Sequence, residues 1–210
     1  MNTVEVSQWI VKGGPIMWPI IAGSVAGLAI VLQKTVLLMI LKRRNKENDF
    51  PERVFGLLRE KDDKKALEFC SGVDSPFARI LQKGLETGSS GKVTAEMAME
   101  REGAKQMKRL EWGMGLLLSI VGLEPMMGFL GTIIGLIQAF KTWEELGNSV
   151  TVSALSGGMY SAMITTAAGL AVAIPLYLCY NSLMSAFKGI AHEWNEAGTT
   201  VADYFKKGKE

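Results

Sequence analysis

The sequence predicts an all-α, polytopic membrane protein with three transmembrane helices and long cytoplasmic helical extensions. Of its 210 residues, 48% are hydrophobic, and formal charges are almost absent from residues 15–41, 112–140 and 146–187. A helix needs about 20 apolar residues to cross the hydrocarbon core of a bilayer, and each of these blocks is long enough. By contrast, 29 of the 44 Lys, Arg, Asp and Glu residues lie between positions 42 and 111. A charged block therefore separates the first span from the second.

The N-terminal part predicts a surface segment followed by a span. Residues 1–15 form an amphipathic segment on the outer face of the membrane, with Trp9 at the level of the headgroups. Two glycines and a proline at its end interrupt the pattern. Transmembrane helix 1 then covers residues 16–41, and Lys34 lies near its inner end, where a lysine is expected to snorkel to the interface.

A cluster of basic residues after this span sets the predicted topology. Lys42, Arg43, Arg44 and Lys46 follow it directly, and the positive-inside rule assigns that side to the cytoplasm. The N-terminus is therefore expected on the outer side of the membrane, and the charged block and the C-terminus in the cytoplasm. A short outer turn is expected near residues 144–148.

The charged block, residues 42–110, predicts a cytoplasmic helical region. Apolar residues recur at helical spacing, and Pro51 and Pro76 mark helix starts. A block of this size is too small for a large core of its own, so we expect it to pack against cytoplasmic extensions of the later spans. The last of its helices, from Thr94, is predicted to continue without a break into transmembrane helix 2 at residues 111–143.

Transmembrane helix 2 carries an unusual stripe. Glu124, Gly128 and Thr132 recur at intervals of four, so they share one helix face. An ionisable residue within a span is costly and marks a functional site by default. The alternative is that Glu124 sits at the water boundary and only solvates the helix end. Pro125 is expected to kink the helix.

Transmembrane helix 3, residues 150–187, is rich in small and hydroxyl residues in its first half, including Ser161, Thr165 and Thr166. Two interpretations remain open: tight helix packing, or the lining of a polar conduit, which the number of hydroxyl-bearing faces favours. Residues 188–210 then predict an amphipathic cytoplasmic tail.

Several classes of function are disfavoured by what the sequence lacks. No histidine lies within a span to activate a serine, and no second membrane carboxylate forms a dyad. No metal-ligand cluster, phosphate-binding loop or basic–aromatic nucleic-acid pattern is present. Cys70 and Cys179 lie in different environments and predict no disulfide. We therefore expect neither an enzyme nor a bound cofactor or metal.

Two motifs carry a resemblance to a known family. GFLGTIIGLIQAF at residues 128–140 and SAMITTAAGLAVAIPLYLCYN at residues 161–181 resemble the MotA/TolQ/ExbB proton-channel family, specifically its ExbB/TolQ branch. Residues 12–34 and 75–85 are similar to that branch as well. The resemblance implies a pentamer in the bacterial inner membrane, whose second and third spans line a pore. That pore would hold two helices of an ExbD/TolR-like partner with a membrane aspartate.

The resemblance also assigns roles to residues. The motif threonines, which face the partner aspartate in the family, correspond to Thr132 and Thr166, and this chain would be the stator ring of a proton-motive-force transducer. The glycines, Gly128 among them, would form the surface against which the partner helix moves. A scaffold that clusters partner helices without conducting ions remains the alternative, and sodium remains a possible coupling ion.

One departure from the family concerns its acid. Members of the branch usually carry a glutamate five residues before the second motif threonine, where this chain has Ser161. Glu124 stands where members often have a small residue. We therefore hypothesise that Glu124 forms an acidic collar at the cytoplasmic side of the pore, about 12 Å from Thr132 along the helix.

Overall fold

The computed structural model describes residues 9–47, 50–60, 62–88 and 92–207, and these residues are almost entirely helical, which confirms the predicted class. A helical turn at residues 9–12 precedes the main elements. The helices are α1 (Met17–Glu47), α2 (Phe50–Arg59), α3 (Asp63–Ser71), α4 (Pro76–Gly88), α5 (Lys92–Leu110), α6 (Met114–Leu146) and α7 (Val152–Lys207), and a 3₁₀ turn (Gly147–Ser149) follows α6.

Three of these helices, α1, α6 and α7, are long and apolar enough to cross a membrane, which confirms the three predicted spans. Before α1, a turn at residues 13–16 includes Gly14 with φ of 72°, so the predicted break is present. Most of the predicted outer-face segment, residues 1–8, lies outside the described residues. α1 itself continues to Glu47, while its part that is apolar enough to cross a membrane covers Met17–Leu41.

The chain divides into two compact units. The first, called here the membrane unit, comprises Met1–Gln33 and Gly113–Ser182. The second, called the charged unit, comprises Lys34–Trp112 and Leu183–Glu210. The charged unit thus includes both the charged block and the C-terminal tail.

The charged unit has a core of large side chains. Phe50 stacks on Phe69 with ring centroids 5.3 Å apart and meets the edge of Phe77 at 5.9 Å. The tail of α7 packs in the same unit, since Val201 is completely buried and the Phe205 ring lies against Gly88 of α4. At the surface the Tyr204 hydroxyl donates to Asp63 Oδ1 at 2.8 Å. These contacts confirm that the charged block packs against the extension of the last span.

One prediction about this region is wrong. The helix beginning near Thr94 does not continue into the membrane span, because α5 ends at Leu110 and α6 begins at Met114. Between them Gly113 has φ of 88°, a left-handed conformation that glycine adopts without steric cost. Gly113 is therefore the break that the sequence interpretation overlooked.

Lys34 also differs from expectation. Its side chain is only 3% exposed, and Nζ donates to the backbone oxygen of Leu110 at 2.8 Å. The last carbonyls of a helix lack intrahelical donors and carry partial negative charge, so the ammonium group satisfies the end of α5. Lys34 thus caps a helix end instead of extending into solvent.

α7 is one continuous helix of 56 residues with Pro175 inside it. At 1.5 Å per residue it is about 84 Å long, far more than the roughly 30 Å of a hydrocarbon core. The predicted boundary between the third span and the tail therefore has no structural break, and the expected helical continuation is confirmed.

Candidate functional site

The candidate site lies where α6 and α7 pack in the membrane unit. A Cβ atom at Gly128 would lie 3.0 Å from Thr165 O and Thr166 Cα, and one at Gly135 would lie 2.5 Å from Gly158 O. Positions that rise along α6 meet positions that fall along α7, so the two helices are antiparallel. Only residues without a side chain permit this distance between backbones.

This contact corrects the predicted role of the glycines. Gly128, Gly131 and Gly135 are all buried, and they face α7 of the same chain, where Gly131 contacts the side chain of Thr165. The interpretation of this glycine face as a surface for a foreign helix is therefore wrong. The glycines set the spacing between the chain's own spans.

Two adjacent threonines of α7 differ in their surroundings. Thr166 is half-buried, and its Oγ1 lies 3.1 Å from Gly128 O of α6 and 3.3 Å from Ala162 O of its own helix. Thr165 is 1% exposed, and its Oγ1 lies 2.9 Å from Ala162 O and 3.2 Å from Ser161 O. Thr166 thus links the two helices at their surface, whereas Thr165 is sealed between them.

Thr132 and Ser161 complete the group of predicted hydroxyls, and both are half-buried. Thr132 Oγ1 donates to Phe129 O at 2.6 Å. Thr132 stands one helical turn, about 6 Å, beyond Gly128, to which Thr166 is bonded. A hydroxyl that donates to a carbonyl keeps lone pairs that can accept from an acid. Thr132 and Thr166 therefore occupy neighbouring levels with acceptor capacity left.

Glu124 is a residue of α6 whose side chain lies against α1 and whose backbone lies against α7. Its Oε1 occupies the space that a Cβ atom at Gly23 of α1 would need, and its backbone oxygen lies 2.5 Å from a Cβ position at Gly169 of α7. The side chain is only 4% exposed, and Oε2 is buried without a hydrogen-bond partner in the described structure. Within this chain Glu124 is therefore enclosed between the spans rather than open to solvent, and its role as an acidic collar of an assembled pore stays a prediction.

The position of Glu124 also bears on the glutamate that Ser161 replaces. Glu124 packs at Gly169, which follows Ser161 by eight residues, or about 12 Å along α7. The acid of this chain therefore lies at a different level from the position that the family glutamate would take.

Sequence reasoning did not identify the contribution of α1. Gly23 receives the Glu124 carboxyl, and a Cβ atom at Gly27 would lie 2.5 Å from Leu176 Cδ1 of α7. These two glycines are four residues apart, which is the spacing of a close helix contact in membranes. That pattern in the first span could have predicted both contacts.

Within the described residues, no three His, Cys, Asp or Glu side chains are grouped so as to hold a metal ion. Three spanning helices and a glycine-spaced pair of spans bearing hydroxyls define a class, the polytopic helical membrane protein. The family model for the MotA/TolQ/ExbB proton channel family matches residues 73–196, and the chain belongs to this family. As a member of a family of channel proteins, it is not an enzyme.

Individual relatives agree with this assignment. The chain is 32% identical over 173 residues to a putative biopolymer transport protein ExbB homolog of Methanothermobacter thermautotrophicus, covering 79% of this chain and 59% of that protein. It is 25% identical over 177 residues to the putative biopolymer transport protein ExbB-like 3 of Synechocystis, covering 83% of each. With the biopolymer transport protein ExbB of Neisseria gonorrhoeae, identity is 30% over 132 residues, or 56% and 60% of the two chains. The chain thus matches about three fifths of the first and third relatives.

Proposed function

We propose that this chain is the stator or channel subunit of an inner-membrane proton-motive-force transducer. In this proposal it forms a pentameric ring around an ExbD/TolR-like partner and couples ion flow to mechanical work on the envelope. The observation that carries the proposal is the position of two half-buried hydroxyls, Thr132 on α6 and Thr166 on α7, at neighbouring levels of the α6–α7 contact. Membership of the proton-channel family supports the same conclusion.

The hydroxyls suit a proton that is exchanged with a partner carboxyl. A threonine can accept a hydrogen bond from a protonated acid and donate one to a carboxylate, and bridging water can relay the proton. Thr132, Thr166 and Ser161 would contribute to the pore surface. Thr165 and Gly128, which are sealed in the helix contact, would hold the spacing behind it.

The proposed topology has the N-terminus in the periplasm and the C-terminus in the cytoplasm. The Lys12 ammonium lies 5.1 Å from the ring centroid of Tyr160, a cation–π distance. This contact supports one part of the topology, because it joins the segment before α1 to the first turns of α7. The basic residues after the first span support the other part.

The test is proton flux through the complex reconstituted in vesicles with its single-span partner. Thr132→Ala combined with Thr166→Ala should abolish partner-dependent flux and the energised process while the complex still assembles. Thr142→Ala is the matched control, since its hydroxyl also donates to a carbonyl of α6, Gln138 O at 3.0 Å. Flux in that variant should be unchanged.

The same experiment separates the alternatives. If the double variant still supports the energised process with assembly intact, the chain is a scaffold and not a conductor. Repeating the measurement with sodium removed from both sides identifies the coupling ion, because flux that requires sodium would exclude a pure proton channel.

A further inference from the structure

Glu124 has no charged neighbour within the three helices that surround it. Residues 17–33 of α1, 114–140 of α6 and 152–182 of α7 contain a single Asp, Glu, Lys, Arg or His, which is Glu124 itself. The carboxyl is nonetheless enclosed, since Gly23 covers Oε1, and Oε2 is buried without a partner. A lone acid in this position needs a physical explanation.

The nearest cations along each helix are distant. Lys34 lies eleven residues after Gly23, about 16 Å along α1, and its Nζ is bonded to the end of α5. Lys141 lies seventeen residues after Glu124, about 25 Å along α6. On α7 the first lysine is Lys188. No counter-ion from these helices can therefore neutralise the carboxylate.

The free-energy cost of burial decides whether the Glu124 carboxyl is ionised or neutral. An ionised carboxylate buried without a cation is far more costly than a neutral polar group. A neutral acid also carries an O–H donor. Pro125 has no N–H, so the backbone oxygen of Val121 loses its usual intrahelical donor. Val121 precedes Glu124 by three residues, so this carbonyl lies on the same turn of α6 as the acid.

We propose that Glu124 is a proton-binding site of the membrane unit, a carboxylic acid that keeps its proton while Gly23 of α1 covers it. This site is separate from the hydroxyls of Thr132 and Thr166, and it needs neither a partner nor ion flow. The neutral acid keeps α1 seated on α6. Release of the proton requires α1 to move away from the carboxyl or water to reach it.

Infrared difference spectroscopy of the purified full chain in lipid vesicles at neutral pH tests this site. The spectrum of the wild type minus that of Glu124→Gln should show the C=O stretch of a neutral carboxylic acid. Glu144→Gln, at the exposed end of α6, is the matched control and should remove carboxylate bands instead. If Glu124→Gln also removes carboxylate bands, Glu124 is ionised and the proposal is overturned.

Two further measurements do not depend on that variant. In the first, glutamate labelled with ¹³C at its side-chain carboxyl is incorporated into the wild type, and the label should shift the same neutral-acid band. If no neutral-acid band shifts on labelling, the proposal is refuted. Gly23→Ala places a Cβ atom on Oε1, so the band should shift or weaken, whereas Gly122→Ala, with no atom within 4 Å of its Cβ position, should leave it unchanged. An unaltered band in Gly23→Ala would overturn the role of α1.

These outcomes are independent of the proposed channel function. A neutral-acid band that persists in the variant combining Thr132→Ala with Thr166→Ala, together with normal flux, would refute the channel roles of the threonines but not the proton site.

Discussion

The two units of this chain differ in the residues that bring their own helices together. In the charged unit, large side chains such as Phe50, Leu81 and Phe187 are buried, because removing them from water stabilises the fold. In the membrane unit the α6–α7 contact is made by glycines; a few large side chains such as Leu117 are also buried, while others such as Phe129 and Met163 face outward. Lipid is as apolar as these side chains, so close packing rather than hydrophobicity joins the spans. Hydrophobicity therefore locates the spans, but small residues locate their contacts.

The reactivity of the Cys70 thiol reports whether water reaches the core of the charged unit. This prediction has the largest expected effect. Its thiol is fully buried, and burial raises the pKa of Cys70 to about 12. Only the thiolate reacts with maleimides, so labelling at pH 8 should be slower than that of an ordinary thiol by about a thousandfold. The measurement is the labelling rate in a Cys179→Ser variant, before and after denaturation. Equal rates in both states would show that the core is open.

A second prediction removes a large side chain from the same core. Leu81 is completely buried, so Leu81→Ala should cost about 2–5 kcal/mol through lost transfer energy and a residual cavity. The melting temperature of the purified chain reports the loss. Met97→Ala, which truncates an exposed side chain of α5, is the control. If both variants melt alike, large side chains do not stabilise this unit as proposed.

The third prediction adds a single methyl group to the glycine contact of the membrane unit. In Gly135→Ala the new Cβ would lie 2.5 Å from Gly158 O, so α6 and α7 must separate, at a cost of about 1–3 kcal/mol. Gly122→Ala makes the same change where no atom lies within 4 Å, and alanine favours helix. The melting temperature should fall in the first variant and stay or rise in the second. If the melting temperature changes alike in both variants, the close approach of α6 and α7 does not stabilise their contact.

The same contrast between hydrophobicity and close packing explains which parts of the structure the sequence predicts. The three helices that could cross a membrane begin at Met17, Met114 and Val152, close to the residues where the sequence loses its charges, because length and missing charge indicate a span. The sequence does not indicate the helix break at Gly113, because nothing distinguishes this glycine from the other glycines among the 23 in this chain as one with a left-handed conformation.

The candidate site was predicted only in part. The motifs select Thr132 and Thr166, whose roles stay a prediction, but they indicate neither the burial of Glu124 nor the direction in which the glycines face. A helix that is apolar all round has no polar face to indicate which side is buried. The contact of Glu124 with Gly23 depends on which face α1 turns toward α6, and nothing in the sequence of α6 specifies that face.

The smallest expected effect concerns a helix end at the surface of the charged unit. Asp62 is the N-cap of α3, where its Oδ1 accepts from Lys65 N at 3.1 Å and its Oδ2 pairs with Lys65 Nζ at 2.7 Å. Hydrogen bonds from the side chain and the backbone of Lys65 lower the pKa of Asp62. Its contribution to stability is therefore present above the unfolded value near pH 3.9 and is lost as the pH falls through the lower folded value.

Two substitutions separate the cap from the ion pair. Asp62→Ala should lower the melting temperature slightly at pH 7, and the difference from the wild type should vanish in acid. Asp62→Asn keeps an oxygen that accepts from the backbone N–H but loses the charge, and exposed ion pairs contribute little, so it should melt close to the wild type. If Asp62→Asn falls as far as Asp62→Ala, the ion pair dominates, and charge would stabilise this unit more than its buried side chains suggest.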